Sequence, residues 1–230
     1  MAIRRNKKKS EDTLVDLVEA RDSAQDFVEE NQNSLLIVMT AMVLLVGGYF
    51  AYKYLIKIPK DKEASQIISK AQDYFERDSF ALALQSGDGS YQGMLEIIEN
   101  YGSTKAGNLA NYYAGISYLK LGQFDAAISY LDDFDDEGRV LPITKYGAMG
   151  DAYGELNQFD EAISNYRYAI AEEDNEFLQS HYLKKLGLLY ERQGNFSGAS
   201  EAFARIKKEF PLSPDGRDIE KYLSRVQAKL

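Results

Sequence analysis

Four residue types recur in fixed order through the second half of the chain. Gly115, Tyr118, Phe124 and Ala127 reappear 35 residues later as Gly150, Tyr153, Phe159 and Ala162. They reappear a further 37 residues on as Gly187, Tyr190, Phe196 and Ala199. Such a period marks stacked supersecondary units, each burying its apolar face only against its neighbours. Within each unit the spacing predicts two antiparallel helices, A and B. Gly122, Asn157 and Gly194 tolerate the left-handed backbone that ends helix A. Gln123-Phe124-Asp125, Gln158-Phe159-Asp160 and Asn195-Phe196-Ser197 form the turns, with Asp125, Asp160 and Ser197 as helix B N-caps. Gly115, Gly150 and Gly187 are expected to meet the small Ala127, Ala162 and Ala199 across each helix pair, with the tyrosines filling the space between repeats.

The pattern resembles the tetratricopeptide repeat, whose units of about 34 residues read L-G-x2-Y, then A-x3-F, then P. Three repeats are expected over 108–142, 143–179 and 180–212, with Pro211 at the terminating position. The sequence departs from the pattern at the leading tryptophan, replaced by Asn111, Tyr146 and Leu183, and at the first two prolines, replaced by Arg139 and Asp174. Residues 58–107 read as a linker helix and a divergent unit, with helices over 62–78 and 91–101, a short apolar piece over 80–84 and a loop over 86–90. Residues 213–230 read as a polar capping helix that closes the stack. Pro59 reads as a stop for the preceding helix.

Upstream, Ser34 to Tyr52 are nineteen residues without a charge. At about 1.5 Å per residue they reach roughly 28 Å, close to the thickness of a bilayer core. The 33 preceding residues are too long and too acidic for a signal peptide. The segment 34–57 is therefore expected to be an uncleaved transmembrane helix, with Tyr49, Tyr52 and Tyr54 as interfacial anchors and Lys53 and Lys57 reaching the headgroups. The expected fold class is all-α: a single N-terminal transmembrane helix followed by an α-solenoid of about four helical hairpins and a cap.

Charge is unevenly distributed. Arg4, Arg5, Lys7, Lys8 and Lys9 open the chain, whereas residues 10–33 hold one arginine against eight acids. Lys53, Lys57, Lys60 and Lys62 follow the apolar segment, and residues 63–230 carry 17 basic and 27 acidic residues. Local lysine counting favours a cytoplasmic C-terminal side, whereas the basic N-terminal tail favours the opposite orientation, and long domains translocate largely regardless of charge. The tail over 1–33 reads either as a loosely ordered acidic segment or as an amphipathic helix within 11–31, built on Leu14, Leu17, Val18, Ala24 and Val28.

The formal charge of −9 argues against nucleic acid as a partner. The chain has no cysteine and one histidine, His181, so thiolate chemistry is excluded and a histidine-based triad or multi-histidine metal site is disfavoured. The Gly87-Asp88-Gly89 loop is not followed by the lysine of a phosphate loop. The run Asp132, Asp133, Asp135, Asp136, Glu137 departs from the calcium-loop pattern and reads as a solvated turn. No enzyme, cofactor, metal or small-molecule substrate is expected.

In tetratricopeptide domains, helix A lines the partner-binding concave face. That resemblance implies a protein-binding face built from Leu109, Tyr112, Ile116 and Leu119 in the first repeat and Asp151, flanked by Thr144, Gly147 and Gly154, in the second. The third repeat would contribute His181, Lys184, Leu188 and Glu191. The divergent unit at 91–101 is the competing cover for the apolar members. The order of tail, membrane helix and repeat domain also resembles the YfgM-like ancillary subunits of the bacterial Sec translocon, and the stretch from Lys105 to Leu131 resembles anchored repeat proteins of Bacteroidota. This resemblance implies an inner-membrane protein with a cytoplasmic N-terminus and a periplasmic repeat domain. Its implied partners are the Sec translocon channel, a periplasmic prolyl-isomerase-like chaperone and exported clients. A scaffold for another envelope assembly, or a cytoplasm-facing regulator, is the alternative.

Overall fold

The structure is a computed structural model that describes residues 25, 27–87, 89–135, 138, 140–171 and 175–230. Two units meet in sequence at Pro59 and Lys60. All regular structure among the described residues is helical. Most of the tail helix expected within 11–31 lies outside the described residues; Gln25 and residues 27–30 are helical.

The first unit is dominated by α1 (Gln32–Tyr52), which buries none of its residues. Thr40 satisfies its hydroxyl locally by donating to the Leu36 carbonyl at 2.7 Å. Among the described residues, one helix is long and apolar enough to cross a membrane, and it starts at Gln32. A π-helical turn follows over Lys53–Lys57, with the Ile58 N–H donating to the Lys53 carbonyl. Helix α2 (Ile58–Glu76) then begins, so Pro59 does not stop the helix as expected. Proline has no N–H to donate, and placed at the second position of the new segment it leaves no donor unsatisfied there.

The second unit is a stack of helical hairpins. Its elements after α2 are α3 (Phe80–Leu84), α4 (Met94–Tyr101), α5 (Lys105–Lys120) and α6 (Phe124–Asp132). Next come α7 (Leu141–Glu155), α8 (Phe159–Ala171), α9 (Glu176–Arg192), α10 (Phe196–Glu209) and the cap α11 (Pro214–Gln227). Each repeat pairs its A helix with its B helix: α5 with α6, α7 with α8 and α9 with α10. The A-to-B turns share one geometry. Gly122, Asn157 and Gly194 have φ of 74°, 61° and 74°. The next N–H bonds back five residues in each case: Gln123 to Tyr118, Gln158 to Tyr153 and Asn195 to Tyr190, all at 2.9 Å. This Schellman closure reverses the chain so quickly that helix B starts at the aromatic residue itself. The caps therefore lie earlier than expected. Asn195 accepts from the Gly198 N–H at 2.9 Å, while Asp125 and Asp160 sit in the first turn, where they complement the helix dipole.

The same closure occurs once more, upstream. Asp78 has φ of 55°, and the Ser79 N–H bonds the Tyr74 carbonyl at 2.9 Å. Tyr74, Asp78, Phe80 and Ala83 thus occupy the places of Tyr118, Gly122, Phe124 and Ala127. The leading unit is a repeat whose helix B is split into α3 and α4 by the loop between them. Its core joins Ala64, Ile68, Ala71, Leu84, Met94 and Ile97 to Ala106, Ala110 and Ala114 of α5.

Packing within each hairpin sets glycine chiefly against a large side chain, with the Ala127 carbonyl also close to Gly115. A Cβ on Gly150 would lie 2.7 Å from the Tyr166 ring, and one on Gly115 would lie 2.5 Å from Leu131 Cγ. Gly187 faces Phe203 in the same way. The largest core runs from the second repeat into the cap and includes Ile143, Tyr166, Tyr182, Phe203, Ile219 and Val226.

Candidate protein-binding cleft

Because every A helix ends in the same turn, the C-terminal ends of α5, α7 and α9 line up. Between them lies an open cleft of about 730 Å³. Leu119, Leu188 and Leu189 provide its apolar surface, with Phe124 at one end. Lys120, Asp151, Glu155, Lys185 and Arg192 provide its charge. Leu188 is 38% exposed, a large aliphatic side chain left open to solvent beside Leu119 and Leu189.

A polar network braces the middle of the cleft. The Lys185 ammonium donates to both Asp151 oxygens, at 2.7 and 2.6 Å, and the Tyr166 hydroxyl donates to Asp151 Oδ1 at 2.7 Å. Burial raises the Tyr166 phenol well above its ordinary value, and the Asp151 charge adds to the effect, so it remains a donor. Arg192 donates to Asn157 Oδ1 at 3.3 Å, with its guanidinium 5.3 Å from the centre of the Phe159 ring.

The structure separates the residues expected on the binding face into three groups. Leu119, Asp151 and Leu188 line the cleft, as does Gly154. Leu109 packs in the core shared with α4, so the leading unit covers it. Tyr112 and Ile116 pack against Leu131, Ala148 and Met149, and the Tyr112 hydroxyl donates to Thr144 Oγ1 at 2.9 Å. Gly147 lies under the Tyr182 ring.

The polar positions of the third repeat hold the cap. Lys184 donates to Asp215 at 2.7 Å, with the His181 ring nitrogen 3.6 Å from the same carboxylate. Glu191 accepts from Arg225 at 2.6 Å, and Lys229 stands 3.7 Å away. The hydrogen bond to Asp215 raises the Lys184 ammonium above its ordinary value. Burial and the nearby Lys185 charge hold the His181 imidazole below its ordinary value, and outweigh the pull of Asp215.

A sequence scan for opposite charges one repeat apart would have found this bracing: Asp151 and Lys185, like Glu191 and Arg225, are 34 residues apart. The contributions of Tyr166 and Phe124 had no such signal, because both enter from B helices. Among the described residues, no cluster of three histidine or acidic side chains is placed to hold a metal ion.

Tetratricopeptide-repeat models match residues 109–137 and 148–214 of the chain. No curated protein matches it. Repeats of this kind generally serve protein interaction, and no catalytic family is indicated.

Proposed function

We propose that this protein is a non-enzymatic, membrane-anchored interaction factor. In this reading α1 crosses the bacterial inner membrane once, with the N-terminal tail in the cytoplasm and the repeat domain in the periplasm. The repeat domain is an accessory subunit of the Sec export translocon. It recruits a periplasmic chaperone of the prolyl-isomerase type or receives exported chains as they emerge. The supporting observation is the pairing of a long apolar helix with no buried residue and a repeat cleft that keeps a leucine exposed among braced charges. A cleft of this kind suits an extended or helical peptide segment. Tethering supplies a high effective concentration, so modest cleft affinity suffices for capture.

The test is purification of the full-length chain from native membranes in mild detergent, with co-purifying proteins identified by mass spectrometry. The translocon channel and an isomerase-like chaperone are expected. Recovery of outer-membrane assembly factors or cytoplasmic proteins in their place would overturn the assignment.

A further inference from the structure

A second opening lies on the B-helix side of the stack, and it shares no lining residue with the cleft. Its volume is about 400 Å³, within the range of sites that hold a small group. The floor is apolar, made by Ile170 of α8, Leu183 and Leu186 of α9 and Ala202 of α10. Polar groups stand only around it. Arg167 of α8 donates through Nη2 to the Tyr190 hydroxyl at 2.8 Å. Among the described residues Arg167 has no carboxylate partner, and the Tyr190 hydroxyl, having accepted that bond, has no acceptor for its own proton. From α10, Glu201 lines the opening and has no ion-pair partner among the described residues, while Arg205 is tied to Glu209 at 2.7 Å.

Among the described residues this arrangement occurs at one junction. The repeat register puts Asp132 and Ala204 at the positions equivalent to Arg167. An unpaired guanidinium beside a free hydroxyl proton calls for a carboxylate, which accepts from both. The apolar floor calls for an aliphatic side chain on the same residue, and the unpaired Glu201 calls for an N–H donor close by. The last residue of a polypeptide carries all three groups on one Cα.

We propose that this pocket binds the free C-terminus of a partner protein that ends in an aliphatic residue. The α-carboxylate accepts from Arg167 and Tyr190, the terminal side chain fills the floor, and the terminal amide N–H donates to Glu201. The proposal is independent of the assignment of the cleft to export, because the two openings are lined by different residues.

The probe is a fluorescein-labelled octapeptide ending in leucine, made with a free carboxylate and as the C-terminal amide. Anisotropy is measured against the full-length chain in lipid nanodiscs. The acid is expected to bind saturably, and the amide about tenfold or more weaker, because it lacks the charge that strengthens both hydrogen bonds. Arg167→Gln should weaken the acid by a similar factor and the amide much less. Arg167 is exposed, so this variant retains the fold. Tyr190→Phe should weaken the acid less. Leu188→Glu, which alters the cleft alone, should change neither peptide. Equal binding of acid and amide, or an unaltered acid affinity in Arg167→Gln, would overturn the proposal.

Discussion

Phe203→Ala is expected to cost about 3–5 kcal/mol, the range for removing a fully buried phenylalanine. Phe203 is 0% exposed, and its ring lies over Gly187 on one side and 5.7 Å from the Tyr222 ring on another. One side chain thus joins helix A, helix B and the cap. Removing it leaves a cavity that the glycine opposite cannot fill, because no Cβ stands there to move inward. A domain is stable by only about 5–15 kcal/mol, and a stacked-repeat protein unfolds in segments rather than all at once. The loss should therefore appear in the third repeat and cap before the rest. Urea unfolding followed by circular dichroism, with hydrogen exchange resolved along the chain, reads both effects. A loss below about 1 kcal/mol would contradict the packing described for this hairpin.

The second large effect concerns the junction between repeats. In Gly147→Ala the added methyl would fall inside the Tyr182 ring. Tyr182 is 7% exposed and belongs to the same core as Tyr166, so the ring has no empty space to enter. Overpacking of this kind costs about 1–3 kcal/mol. The loss of Tyr182 packing places this substitution near the top of that range. Because the clash separates α7 from α9, it should also disturb the contact of Lys185 with Asp151, 34 residues apart in the chain. Thermal unfolding gives the stability change, and exchange at the α7 and α9 amides locates it. An unchanged melting temperature would show that the second and third repeats do not meet through this glycine.

The fold was legible wherever backbone conformation or the make-up of a segment set a residue's role. Gly122, Asn157 and Gly194 announce the turns because a positive φ is tolerated by few residue types, and all three adopt it. The apolar stretch from Ser34 to Tyr52 announces a helix by length and lack of charge. Details set by packing were less legible. The sequence pairs the glycines with the alanines, and Gly115 does meet the Ala127 carbonyl, but the nearest neighbours of the three glycines are Leu131, Tyr166 and Phe203, one helical turn further along. The leading unit is legible as a divergent repeat, but its turn is not, because the residue with positive φ there is Asp78 rather than glycine.

The binding face was the least legible part, for a specific reason. A repeat pattern shows which positions on helix A point the same way, but not which of them the next repeat consumes. Tyr112, Lys184 and Glu191 are spent on Thr144, Asp215 and Arg225. What remains open is nearer the C-terminal ends of the A helices, around Leu119 and Leu188.

Whether this opening meets a protein partner is tested directly by crosslinking from within it. A photo-crosslinking amino acid is placed at Leu188 in the full-length chain, and the adducts formed in native membranes are identified by mass spectrometry. Leu212, which is 86% exposed and lies outside the cleft, serves as the control position. The account predicts adducts to the export channel, its chaperone or an exported chain from Leu188, and none of these from Leu212. No adduct from Leu188, or the same adducts from both positions, would contradict it.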